Sequence, residues 1–238
     1  MSALSYNGHD LSGHVAAELV EPAGHALSPR ALAVPGRPGA VLLGCELPPR
    51  VLTVRLFLDA GVTLTAEERS AVRHEVYGRL VAPMGAELSL SGEPGLTWRD
   101  AVVTGVSDWD SLFEGGSCEV EFTCFDPVAY GDDASSAGTA LTVGGTWETC
   151  PVVTLTALSG SSVKVADELG RYVLVERELS AGDEVVMDFA AESVTVDGED
   201  ASADVAVEST FFSLVPGAHT LAFTGCTAHL VEWTERWL

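Results

Sequence analysis

Apolar residues recur at every second position in short runs along this chain, and that rhythm commits it to β-structure. From Val51 to Leu58, Leu52, Val54, Leu56 and Leu58 fall on one side of an extended strand and Thr53 and Arg55 on the other. Cys118 to Cys124 repeats the pattern, with Cys118, Val120, Phe122 and Cys124 alternating against Glu119, Glu121 and Thr123. Alternation of this kind belongs to antiparallel sheets with one buried and one wet face. Trp98 to Val106 reads as a third strand.

One segment of the first half breaks the rhythm. Thr65 can cap a helix while Glu68, three residues on, reaches back to it in a capping box. Val72, Val76 and Leu80 then supply an apolar stripe, Arg69, Arg73 and Arg79 the opposite face, and Pro83 with Gly85 the stop.

Between Asp126 and Gly145 the periodicity disappears into Gly131-Asp132-Asp133-Ala134-Ser135-Ser136-Ala137-Gly138, whose small polar residues read as a linker. The expected organisation is therefore a domain over 1–130, a linker over 131–145 and a second domain over 146–238. In the second, strands are expected at Val152–Leu158, Val163–Ala166, Tyr172–Glu176, Glu184–Phe189, Ser193–Val196 and Leu230–Trp237. Asp197-Gly198 and Pro216-Gly217 are turn signals, the latter read as joining Phe211–Val215 to Ala218–Thr224 in a hairpin. About eight strands of this length suit a jelly-roll or related sandwich, so the fold class is mainly β throughout.

A length of 238 residues suffices for two cores, and 47% hydrophobic residues argue against disorder. No run approaches the ~18 apolar residues of a spanning helix, and Met1 to Gly13 lacks the basic start and apolar stretch of a signal peptide, so synthesis in the cytoplasm is expected. The formal charge of −23 opposes stable binding to nucleic acid or anionic membrane. Residues 1–129 carry 17 acidic and 8 basic side chains and residues 130–238 carry 18 and 4, so the second half is the more anionic. Five scattered cysteines without a CxxC, Cys45, Cys118, Cys124, Cys150 and Cys226, are expected to be reduced.

Motifs of catalysis are missing. The chain has no GxSxG elbow and no phosphate-binding glycine loop, and where a zincin helix starting at His74-Glu75 would need its second histidine stands Gly78. His9, Asp10, His14 and His25 are ligand types whose spacing fits no compact metal site. No catalytic, metal or cofactor residue is assigned, and the expectation is a non-enzyme without cofactors. Trp147 and Trp233 are candidates for a sugar-stacking platform, the basis of an alternative reading as a soluble carbohydrate-binding module; the competing reading for these aromatics is sheet core.

Landmarks spread over nearly the whole chain carry a resemblance. They are Tyr6-Asn7-Gly8 with Asp10, the turn Val34-Pro35-Gly36-Arg37-Pro38-Gly39, the segment Phe122 to Tyr130, Gly144 to Pro151, Ala181-Gly182-Asp183, and Phe211 to Gly217. In their order and spacing the chain resembles the distal tail proteins of long-tailed, non-contractile phages and prophages. It departs from that family in having Ala218-His219 where an asparagine usually follows the last Pro-Gly.

The resemblance implies a tail-tube-like β-sandwich or barrel followed by a galectin-like jelly-roll sandwich. It further implies a homo-oligomer, a ring of six, that sits in the virion at the tail tip or baseplate. Such a ring joins the tail tube protein to a tail-associated tip protein, anchors receptor-binding proteins, and lets DNA pass without stable binding. Ser28 to Gly44, rich in proline and glycine, is the expected arm to a neighbouring subunit, with Pro35, Gly36, Arg37, Pro38 and Gly39 as its interface residues.

Overall fold

The computed structural model describes residues 4–13, 15–20, 26–58, 65–107, 112 and 117–238. His14 and His25 lie outside the described residues. The chain divides into two compact units, residues 1–130 with Leu238, and residues 131–237.

In chain order the first unit contains β1 (Leu4–Tyr6), β2 (His9–Asp10), β3 (Val15–Leu19), β4 (Ser28–Ala33), β5 (Ala40–Glu46), β6 (Arg50–Leu58), α1 (Ala66–Leu80), β7 (Ala86–Leu90), β8 (Thr97–Val106), β9 (Ser117–Cys124) and the start of β10 (Ala129–Ser136). Antiparallel pairing runs β2-β1-β7-β8-β9-β6-β3. β8 pairs at its start with β10 and from Ala101 onward with β9, and bulges interrupt its register with β7 and β9. Bulges of this kind let one strand turn a sandwich corner.

Alternation in the sequence becomes burial. Leu52, Val54, Leu56, Cys118, Val120, Phe122 and Cys124 are all buried on facing strands β6 and β9. Tyr6 meets Phe122 edge-on at 5.1 Å and its hydroxyl donates to the Ala101 carbonyl at 2.8 Å, which satisfies the only polar atom that ring brings inside.

Helix α1 starts where the capping box requires: the Glu68 N–H donates to Thr65 Oγ1 and the Thr65 N–H donates to Glu68 Oε2. The Thr65 N–H and the Thr65 hydroxyl, both donating to the Glu68 carboxyl, hold it below its ordinary range. Val76 and Leu80 are buried and Val72 is half-buried. Past the helix, Gly85 has φ +78°, and a Cβ there would stand 3.0 Å from the Asp100 backbone, so glycine is needed on both counts.

The second unit takes in the rest of β10, then β11 (Ala140–Val143), β12 (Val152–Ala157), β13 (Val163–Ala166), β14 (Tyr172–Val175), β15 (Glu184–Asp188), β16 (Ser193–Val196), β17 (Glu199–Asp200), a 3₁₀ turn (Ser202–Asp204), β18 (Gly217–Thr220), β19 (Ala222–Thr224) and β20 (Cys226–Trp237). One sheet runs β17-β16-β15-β12-β20-β10. Strands β13 and β14 and strand β11 supply Val163, Val165, Val173, Val175, Leu141 and Val143 to the same core, alongside Val153, Leu155, Met187 and Val231. The expected strands at β12 to β16 and β20 are present within a few residues of their expected ends.

Two expectations are corrected. The stretch 131–145 is not an irregular linker, because β10 and β11 occupy most of it. Leu141 and Val143 alternate into the core and Ala134 packs on it, a short period-two signal drowned by the glycines and serines around it. Pro216-Gly217 does not close a hairpin either. Leu214 bridges to Thr149, Phe212 is buried against Phe189, and β18 pairs with β11. Phe211–Val215 is thus an apolar segment that fills core without becoming a strand.

Candidate functional site

Strands β4 and β5 pair only with each other among the described residues. Their register runs from Ser28 opposite Glu46 to Ala33 opposite Ala40, with one bulge at Arg30/Ala31. The tip spans residues 34–39: the Arg37 N–H donates to the Val34 carbonyl at 3.1 Å, and Pro35 with Gly36, at φ +80°, fill the central positions of a turn that needs a proline-compatible residue and then positive φ. Gly39, at φ +79°, returns the chain to β5.

Every residue of β4 is exposed, and so is every residue of β5 except the half-buried Val41. An isolated two-stranded hairpin is marginal in water. Here it carries Leu32 at 54%, Leu42 at 62% and Leu43 at 67% exposure, with Leu27 and Val34 exposed as well. Consecutive leucines put apolar side chains on both faces, so neither face is built for solvent. The Arg30–Glu46 ion pair at 2.5 Å spans the strands, but both partners are mostly in water, where such a pair contributes little.

Pro35, Gly36, Arg37, Pro38 and Gly39 therefore come together in one exposed tip, as a single feature. Sequence reading singled out those turn residues and missed the leucines behind them. The available signal was Leu42-Leu43, an adjacent apolar pair that alternation cannot hide on one face.

The tryptophan pair is not brought together as a platform. Trp233 is 7% exposed within the core of the second unit, and Trp147 is half-buried, its N–H donating to the Arg236 carbonyl at 3.0 Å. A sugar ring needs an open aromatic face, and Trp233 keeps little of its own, at the wall of a cavity of about 300 Å³ that Cys150, Val152 and Glu232 also line. His9 and Asp10 sit exposed on β2, and the Asp10 carboxyl is lowered by the Ser12 side chain and by the Ser12 N–H, which donates to it at 2.8 Å.

Asp167 and His219, both buried in the second unit, find partners within it. Asp167, whose side chain is 1% exposed, accepts from the N–H groups of Leu169 and Arg171 and from Arg171 Nε at 2.6 Å. His219 contacts Glu168 through Nδ1 at 2.8 Å and the Val215 carbonyl through Nε2 at 2.7 Å. Bonds from its own backbone N–H and from that of Thr220 hold the Glu168 carboxyl below its usual range. These contacts pin the turn after β13 to the segment around β18. None of the five cysteines is in a disulfide. Burial pushes the Cys124 thiol up to about 12, far from a reactive thiolate.

Residues 144–237 match the family model of the siphovirus-type tail component, C-terminal domain. The match covers most of the second unit. Across the whole chain the fold is that of the Dit protein of phage SPP1, whose crystal structure is described as a paradigm of the hub adsorption apparatus in phages infecting Gram-positive bacteria. The TM-score is 0.84 at 18% identity, covering 100% of both chains. Chains of the phage P2 baseplate in its activated conformation, with calcium and with strontium, match at TM-scores of 0.52 and 0.51 and 10% identity, over 99% of this chain and 98% of theirs. Among curated proteins none matches. The resemblance to distal tail proteins read from the landmarks is borne out, as is a mainly β fold with one helix.

Proposed function

We propose that this chain is a structural distal tail protein whose copies join head to tail into a closed ring, six in number. The ring connects the tail tube to the tail tip and carries the tip and receptor-binding proteins in the virion. The observation that carries this reading is the β4-β5 hairpin, an apolar arm with no cover of its own on a unit whose neighbours in fold are hub and baseplate proteins.

The energetics favour assembly. Full burial of a leucine stabilises by roughly 1.5–3 kcal/mol, so covering the exposed halves of Leu32, Leu42 and Leu43 contributes about 3 kcal/mol per junction. A ring repeats that contribution at every junction. Heterologous contacts of this type close when the rotation between neighbours divides a full turn. The net charge of −23 suits a lumen through which DNA slides, because an anionic wall offers the phosphates no cationic contacts to release counterions against. In this reading the first unit builds the ring and the second, folding independently, faces the tip proteins.

Electron microscopy of the concentrated full-length chain and of intact tails, with and without residues 28–44, tests it. Rings in the complete chain that vanish on deletion are expected. Tails assembled without any ring of this protein overturn the assignment.

A further inference from the structure

An arm needs a seat, and the first unit contains one surface shaped for it. Where α1 ends against β8 a cavity of about 320 Å³ opens, lined by Tyr77, Val81 and Pro83 on one side and by Val102 and Val106 on the other. Tyr77, Val81 and Val106 are between 39% and 54% exposed, and Met84, next along the chain, is 92% exposed. Two causes lie in the sequence. Val102-Val103 sets apolar side chains on both faces of β8, so the face turned from the core is apolar too. The chain past Leu80 then runs Val81-Ala82-Pro83-Met84 without a charged residue.

No residue of the hairpin lines this cavity within its own chain. The unit thus presents two unlike apolar patches, one protruding and one recessed. A foreign partner seated on either would leave the other in water. One head-to-tail contact between copies covers both, and two different patches on one subunit are what a heterologous interface requires. Met84, exposed and next in the chain to the lining Pro83, adds an adaptable apolar side chain to this region.

We infer that the hairpin Ser28–Glu46 of one copy seats its leucines in the groove between α1 and β8 of the next. The inference rests on the ring reading above and names its interface: Leu32, Leu42 and Leu43 against Val81, Val102 and Val106.

The experiment uses the full-length chain with Cys45→Ser, Leu42→Cys and Val106→Cys, treated at high concentration with a short bifunctional thiol reagent. A covalent ladder ending at the ring's subunit number is expected, while either new cysteine alone gives dimers at most. In parallel, Val106→Glu should weaken association by about a hundredfold, since a carboxylate would be buried without a partner, at unchanged Tm. If micrographs show rings but the ladder is absent, or if Val106→Glu rings form normally, the seat is wrong and the ring reading stands. If neither wild-type protein nor tails contain rings, both fall.

Discussion

The two units share a strand rhythm and differ in where they leave their apolar residues. Among the described residues, eleven large hydrophobic side chains of residues 4–130 are exposed, against five in 131–237. Several of the first unit's are gathered on the hairpin and around the groove. The second unit instead carries the larger acidic excess, and its buried Asp167 and His219 are bonded within the chain. In the proposed reading one unit is finished by association and the other by its own folding.

The strongest way to break this contrast is through the cores. Phe122→Ala should cost the first unit about 3–5 kcal/mol and Met187→Ala the second about 2–5 kcal/mol, each lowering only its own transition in calorimetry. A single transition that moves as a whole with either variant would abolish the division. Asp167→Ala comes next. It strips a buried acceptor from two backbone N–H groups and from Arg171, for an expected loss of about 3 kcal/mol confined to the second unit. The exposed Arg55–Glu119 pair of the first unit is the control, and Glu119→Ala should leave its Tm unmoved.

How far the sequence announced these features depended on how local their causes were. Strands β6, β9 and β12 to β16 were legible because period-two burial is written into the residues themselves, and α1 because its cap is a four-residue motif. Strands β10 and β11 were hidden, since Ser135, Ser136 and Gly138 mimic a linker and pairing across the sheet overrides them. Phe211–Val215 misled for the opposite reason: an apolar run fills core whether or not it joins a ladder. Of the site, the turn at Val34–Gly39 was visible in its proline and glycines. The leucines behind it were not, because exposure depends on what fails to pack against a strand, which no local pattern records. The groove depends on α1 meeting β8, residues far apart in the chain.

Smaller effects sharpen the contrast further. Thr65→Ala removes half of the capping box and should cost the first unit about 1 kcal/mol with no change in the second. Thiol labelling of the native protein should modify exposed Cys45 first and buried Cys118 and Cys124 last, with five groups titrating after denaturation. Equal labelling rates would show that the first unit's core opens readily. The smallest effect concerns acid. The Glu168 carboxyl lies below its ordinary value of 4.5 in the folded state, so its contribution is complete above that pH and is lost as pH falls through the depressed value. Glu168→Gln should therefore flatten the acid side of the second unit's Tm profile, and a profile unchanged in shape would deny Glu168 that role.

Strand β20 has a further consequence, in time. It lies between β12 and β10, at the centre of its sheet, yet Cys226 follows Val152 by more than seventy residues. At ordinary synthesis rates the ribosome needs roughly four to fifteen seconds to cross that interval. Until β20 arrives, the edge of β12 turned from β15 and the edge of β10 that β20 will cover stand bare. The unit therefore emerges as a sheet with its middle missing, and the last strand to appear is the one that makes the others a layer. Those open edges are exposed on every polysome, so faster insertion of the final strand shortens the time in which nascent copies can pair wrongly.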